Sequence, residues 1–186
     1  MKSICVFCAS SSGARPIYHE AAVSLGREIG RRKWRLVYGG GSMGLMGVIA
    51  NAALEAGAEV VGVITHSLDH KEKGHRGIKE LLIVSSLHER KATMAQRADA
   101  FVALPGGFGT YDEFCEILAW SQLGIYNKPC CILNIDGFYD PLLAQFDRAV
   151  AEEFIHPKNR SRVLAARDVT ELLDALDESL KKKLGV

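Results

Sequence analysis

Three stretches of the 186-residue chain carry residue types and spacings that could do chemistry. Pro105-Gly106-Gly107-Phe108-Gly109-Thr110 follows the apolar run Ala100–Leu104 and opens a helical pattern. A glycine-rich strand-to-helix turn lets backbone N–H groups approach an anion, and the helix N-terminus adds partial positive charge. Gly39-Gly40-Gly41-Ser42-Met43-Gly44-Leu45-Met46-Gly47 has the same setting after Arg35–Tyr38. Two such turns at one edge of a sheet would make a phosphate or nucleotide cradle. Glu113 follows Thr110 by three residues, which reads in two ways. It completes a capping box with Thr110, or it sets a carboxylate beside the bound anion. With a nucleotide phosphate in the turn, the ribose and its glycosidic bond are the natural neighbours of Glu113. Asp112 points about 100° away on the helix, so the two are not a paired acid and base. Arg90-Lys91 stand near the start of a helix with a Ser86-to-Glu89 capping box. The macrodipole opposes cations there by tenths of a kcal/mol. That placement points to an anionic ligand or a carboxylate partner, with a solvated basic pair as the plain alternative.

Other chemistries find less support. Gly39 to Gly44 spell G-x-G-x-x-G, but a dinucleotide fold places that motif after the first strand, with an acid ending the next. Here it follows the second strand, and the next ends at Thr65-His66. Glu59 stands at that strand's start, the wrong end for a ribose. No Walker-type G-x-x-x-x-G-K-[ST] occurs. Cys5 and Cys8 form a C-x-x-C, yet residues three apart on a strand face opposite ways; Cys130-Cys131 do likewise. The cysteines read as small buried hydrophobes, and the histidines lack metal-ligand spacing.

The elements that must position these residues alternate. Strands are predicted at Ser3–Ala9, Arg35–Tyr38, Glu59–Ile64, Leu81–Val84, Ala100–Leu104 and Cys130–Asn134, with a weak seventh near Val163-Leu164. Helices are predicted at Tyr18–Arg32, Leu45–Ala56, Leu87–Ala98, Tyr111–Leu123, Pro141–Glu153 and Val169–Leu184. Near-continuous apolar strands alternating with helices imply one α/β domain over residues 1–186. Its core is a Rossmann-like, doubly wound parallel sheet of about six or seven strands, with helices on both faces. The polar stretch His66–Lys79 reads as an irregular surface loop or a pocket lid. Leu172, Leu173, Leu176 and Leu180, followed by three lysines, read as helix packing with cations at the C-terminal end.

Composition bounds the rest. Eighteen glycines exceed the roughly 7% of ordinary proteins, and eight of them fall in the two turns. A formal charge of +1 argues against a nucleic-acid or membrane partner. No signal peptide and no apolar run near 20 residues appears, and five scattered cysteines fit a reduced cytoplasm.

Taken together, the two turns, His88-Glu89-Arg90-Lys91-Ala92-Thr93-Met94 and Pro105-Gly106-Gly107-Phe108-Gly109-Thr110-Tyr111-Asp112-Glu113 resemble the signatures of the LOG ("Lonely Guy") family. The likeness continues through Trp120–Ile125 and Leu133–Tyr139, covering nearly the whole chain. Members are cytokinin riboside 5′-monophosphate phosphoribohydrolases, often labelled lysine decarboxylases; no lysine here sits in a recognisable pyridoxal-phosphate context. The resemblance implies Arg90 and Glu113 as the catalytic pair. It implies nucleotide binding by Lys91, by Gly106, Gly107, Phe108, Gly109 and Thr110, and by Glu72, with Ser10 and Gly41 bordering the pocket. Two departures stand out: Leu118-Ala119 where the family often has Thr, which would bear on base recognition, and Thr65 where Pro often follows the third strand.

The implied reaction is hydrolysis of the N-glycosidic bond of a nucleoside 5′-monophosphate, plain or N6-substituted, without metal or cofactor. Glu113 would stabilise an oxocarbenium-like centre or deprotonate water, and Arg90 would assist the departing base or hold Glu113 ionised. A homodimer completing the pocket across its interface is implied as well. The competing reading is a non-catalytic nucleotide or molybdenum-cofactor carrier using the same cradle.

Overall fold

In the computed structural model, residues 1–184 are described. Seven strands form one parallel sheet: β1 (Ser3–Phe7), β2 (Arg35–Tyr38), β3 (Glu59–Thr65), β4 (Glu80–Val84), β5 (Ala100–Ala103), β6 (Cys130–Leu133) and β7 (Val163–Ala166). The helices are α1 (Pro16–Arg31), α2 (Gly44–Glu55), α3 (His66–Glu72), α4 (Leu87–Gln96), α5 (Phe108–Gln122), α6 (Asp140–Ala151), the short α7 (Pro157–Arg160) and α8 (Val169–Leu184). A 3-10 turn spans Ile135–Gly137.

Every predicted strand and long helix is present; β2 and α8 keep their predicted bounds, and the ends of the others shift. Two corrections concern what lies between. The stretch from His66 is not irregular throughout: His66–Glu72 is helical, because Thr65 Oγ1 accepts the Leu68 N–H at 3.3 Å and caps it. A proline could not cap in this way, which gives Thr65 its role. Helix α5 begins at Phe108 rather than Tyr111, with extended Gly107 as its N-cap.

The order β4-β3-β2-β1-β5-β6-β7 places the chain's reversal between β1 and β5. Loops leaving these neighbours diverge to opposite faces, which opens a crevice at the carboxyl edge of the sheet. Strand alternation sorts the core into two layers. Ile4, Val6 and Cys8 pack with α1, α2 and α8, whereas Cys5 and Phe7 pack with α4, α5 and α6. Cys131 and Cys130 divide in the same way, so neither thiol pair converges. Four cysteines are buried as expected; Cys115, on α5, is exposed. Leu172, Leu173, Leu176 and Leu180 are buried, and Lys181 pairs with Asp177 at 2.8 Å. The side chains of Lys182 and Lys183 lie outside the described residues. Among the described residues, no helix is long and apolar enough to cross a membrane.

Candidate active site

At the β1–β5 reversal lies a cavity of about 410 Å³, within the range of small-molecule sites. Its walls include Ser10 and Ser11 after β1, Glu72 of α3, Arg90 and Lys91 of α4, and Gly107 to Thr110 with Glu113 of α5. A larger groove of about 960 Å³ runs along α1 to the end of α2. Solvated side chains such as Glu20, Arg27 and Glu55 line it, and none of the residues singled out above.

The start of α5 has an anion site's physical requirements. No side chain caps it and its first turn holds no acid, so its leading N–H groups lack the usual local partners. Nothing lies within 4 Å of where a Cβ would project at Gly107 or Gly109, so the backbone there is open to a ligand. A Cβ on Gly106 would collide with the Thr110 side chain, which folds back over it.

The first glycine turn serves mainly the fold. The Leu45 and Met46 N–H groups at the start of α2 donate to Ser11 O and Ala9 O, both at 3.2 Å. A helix start so engaged has less to offer a phosphate. Gly44, at φ +56°, presses against the Ser10 backbone where no Cβ fits. Gly39 accepts a hydrogen bond from Arg90 Nη2 at 3.1 Å and leaves no room for a Cβ beside that guanidinium. Gly41 is buried and bridges Gly74, while Ser42 N donates to Glu72 O at 3.2 Å and Lys73 O at 2.9 Å. This turn is therefore a socket for Arg90 and a dock for the end of α3. Gly41 and Gly106 stand behind the cavity wall rather than in it.

Arg90 and Glu113 meet across α4 and α5. Nη1 donates to Glu113 Oε1 at 2.7 Å, and Nε donates to Val63 O at 2.9 Å. The residues are 7% and 8% exposed, so the pair is desolvated while bordering the cavity. The carboxylate partner suggested by the charge placement is thus real, and the capping-box reading of Glu113 is displaced. Burial pushes the Glu113 carboxyl above its ordinary range, and Arg90 opposes that rise. Lys91 also has carboxylate partners: Nζ lies 2.9 Å from Asp112 Oδ2 and 3.1 Å from Glu116 Oε2. The Ser86 hydroxyl accepts the Glu89 N–H at 3.1 Å, as a cap should. Glu89 does not close the box, however; its Oε2 accepts from Ser85 N and Oγ at 2.9 and 2.6 Å.

Glu72, implied only by resemblance, is brought to the same cavity, and its Oε2 is buried without a hydrogen-bond partner. Leu118 and Ala119 are not brought there. They line a separate, largely apolar groove on the outer side of α5, with Cys115, Phe146 and Ile155. Within one chain they do not line the cavity that holds Arg90 and Glu113. Leu68 and Met46, which sequence reasoning left out, do line the cavity. Met46 is legible only through its place at the α2 start, and Leu68 has no sequence signal.

This is a Rossmann-like α/β protein with a polar cleft at the switch point of its sheet. The chain belongs to the LOG family: the family described as "Possible lysine decarboxylase" matches residues 46–176. It is 52% identical over 177 residues to the probable cytokinin riboside 5′-monophosphate phosphoribohydrolase LOGL9 of Oryza sativa subsp. japonica, covering 95% of this chain and 78% of that protein. It is 49% identical over 176 residues to the cytokinin riboside 5′-monophosphate phosphoribohydrolase of Rhodococcoides fascians, covering 94% and 89%. Among solved structures, the Moco carrier protein of Chlamydomonas reinhardtii superposes with a TM-score of 0.71 over 97% of this chain and 98% of that one. Its 23% identity carries the fold alone.

Proposed function

We propose that this chain, acting as one nucleotide-binding domain, hydrolyses the N-glycosidic bond of an adenosine 5′-monophosphate, plain or N6-substituted. The products are the free base and ribose 5-phosphate. The observation that carries this is the buried Arg90–Glu113 pair one helical turn from the uncapped start of α5, in one cavity. The relatives' names supply the substrate class.

In this reading the backbone N–H groups of Gly107 to Thr110 take the 5′-phosphate, with Lys91 and Ser10 at the margin. Binding energy from the phosphate then positions the distant C1′–N9 bond. Glu113, ionised, faces the positive charge that develops at C1′ and accepts a proton from the attacking water. Arg90 holds Glu113 rather than the base: the carbonyls of Gly39 and Val63 grip it from below, and a guanidinium does not give up a proton.

A substrate panel tests the reading: AMP, GMP, CMP, N6-isopentenyl AMP and the matching nucleosides, with ribose 5-phosphate as the readout. The monophosphates should be cleaved at least about 100-fold faster in kcat/KM than the nucleosides, about 3 kcal/mol of phosphate binding. Equal rates with and without phosphate would remove the phosphate subsite from the reading. A carrier would bind AMP stoichiometrically without turnover.

A homodimer and a cytoplasmic setting belong to the same proposal. Leu123 and Ile125 beyond α5 and Phe154 beyond α6 are 72%, 58% and 84% exposed, apolar side chains that a second copy would cover. Five free thiols favour a reducing compartment. Light scattering on the untagged protein should return twice the chain mass; a monomer at micromolar concentration overturns the dimer.

A further inference from the structure

Breaking the bond between C1′ and a purine nitrogen leaves an electron pair on the base, and a proton delivered to a ring nitrogen as the bond breaks lowers the barrier. Neither member of the buried pair has that proton to give. Arg90 keeps its own, and Glu113 works as a carboxylate.

The same cavity holds another carboxyl. Glu72 closes α3, and its Oε2 is buried with no hydrogen-bond donor. Its backbone is pinned, since Ser42 N donates to Glu72 O and Lys73 O, and Lys73 turns the chain at φ 50°. Gly41 lies against it, where any Cβ would come within 3.3 Å of Glu72 Cβ, and the side chain extends into the cavity. A buried carboxyl oxygen without a donor is far better tolerated protonated than charged. The groups facing it divide. Arg90 of α4 and a side-chain hydrogen bond from Ser10 favour the charged form. The Glu72 charge pushes the Glu113 carboxyl of α5 up, and Cys8, just past β1, faces the cavity as a neutral thiol. Burial outweighs Arg90 and Ser10, and the Glu72 carboxyl stands above its ordinary range. One carboxyl ion-paired and one with a buried oxygen lacking a donor, in a single cavity, is the environment split that separates base from acid.

We propose that Glu72 is the general acid of this reaction, handing its proton to a purine ring nitrogen as the C1′–N9 bond breaks. The proposal rests on the phosphoribohydrolase reading above. The water oxygen bonds to C1′, and the C1′–N9 pair goes to the base, which takes the Glu72 proton. A water proton goes to Glu113. Neutral base and ribose 5-phosphate leave, and proton exchange through solvent returns Glu113 to carboxylate and Glu72 to carboxylic acid. One water is consumed. Because the acid acts only when protonated, its contribution to kcat is lost as pH rises through the Glu72 value.

The test is Glu72→Gln assayed on N6-isopentenyl AMP and on 4-nitrophenyl ribofuranoside 5-phosphate, whose phenolate departs without a proton. With the nucleotide, kcat should fall about 10²- to 10⁴-fold, KM should stay within about threefold, and the alkaline limb should vanish. With the nitrophenyl substrate, the variant should match the parent within about threefold. Glu72→Asp, which keeps a carboxyl, should retain the alkaline limb even if the Gln variant folds poorly. Equal losses on both substrates, or a raised KM with kcat intact, would make Glu72 a ribose-holding residue and overturn the proposal. No turnover by the parent protein would instead remove the phosphoribohydrolase reading, and this role with it.

Discussion

Glu113→Gln should lower kcat by at least about 10³-fold while leaving AMP affinity within a few-fold of the parent. General acid–base catalysis typically contributes 10²- to 10⁴-fold, and electrostatic stabilisation of the developing charge adds to it. The substitution is nearly isosteric, and Gln Oε1 can still accept the 2.7 Å hydrogen bond from Arg90 Nη1. The guanidinium also keeps its two backbone acceptors, Val63 O and Gly39 O. Packing survives, and what is lost is a negative charge and a proton acceptor at the cavity wall. Calorimetric titration with AMP, set against single-turnover base release, separates the two quantities. Full activity would sink Glu113 as the base.

Arg90→Met should damage folding as well as catalysis. Removing one partner of a buried ion pair costs about 3–5 kcal/mol, because the other charge is left uncompensated. Arg90 and Glu113 are both nearly inaccessible to solvent, so water screens the pair little. The pH dependence has a definite sign. Burial already holds the Glu113 carboxyl above its ordinary range and Arg90 restrains it, so loss of Arg90 raises it further. A group whose folded-state value is raised stabilises below its unfolded value, near 4.3 for Glu, and loses that stability as pH rises through the folded value. The melting-temperature deficit of Arg90→Met should therefore be largest at pH 7–8 and shrink toward pH 5. Adding Glu113→Gln should recover much of the loss, since it removes the stranded charge. In activity, the acid limb of the variant should move to higher pH. A pH-independent deficit unaffected by the second substitution would mean Arg90 acts through packing alone.

Much of the fold and part of the site are legible in the order of residues. Strand positions follow from short apolar runs bounded by glycine and charge, and covering both faces of a parallel sheet makes those runs nearly continuous. The glycine turn at 106–109 and the position of Glu113 one turn into its helix are local facts of spacing. So is the electrostatic oddity of Arg90-Lys91 near a helix start, which calls for carboxylate partners without naming them. Helix α3 is less legible because six of its seven residues are polar and none is buried, so a lone Leu68 leaves no apolar periodicity to mark it.

The sequence by itself determined the doubly wound sheet, the glycine turns at its carboxyl edge and the residue types of a phosphate-and-carboxylate site. These depend on patterns within one or two elements. Only the tertiary structure decided which turn is open to a ligand, because the α2 start gives its N–H groups to carbonyls beyond β1 while the α5 start has no side-chain cap. It also decided that Arg90 reaches Glu113, 23 residues on, that Glu72 keeps a buried oxygen without a donor, and that Leu118-Ala119 look elsewhere. Such outcomes turn on which polar groups from distant strand ends meet when the sheet closes, and no local pattern encodes that allocation.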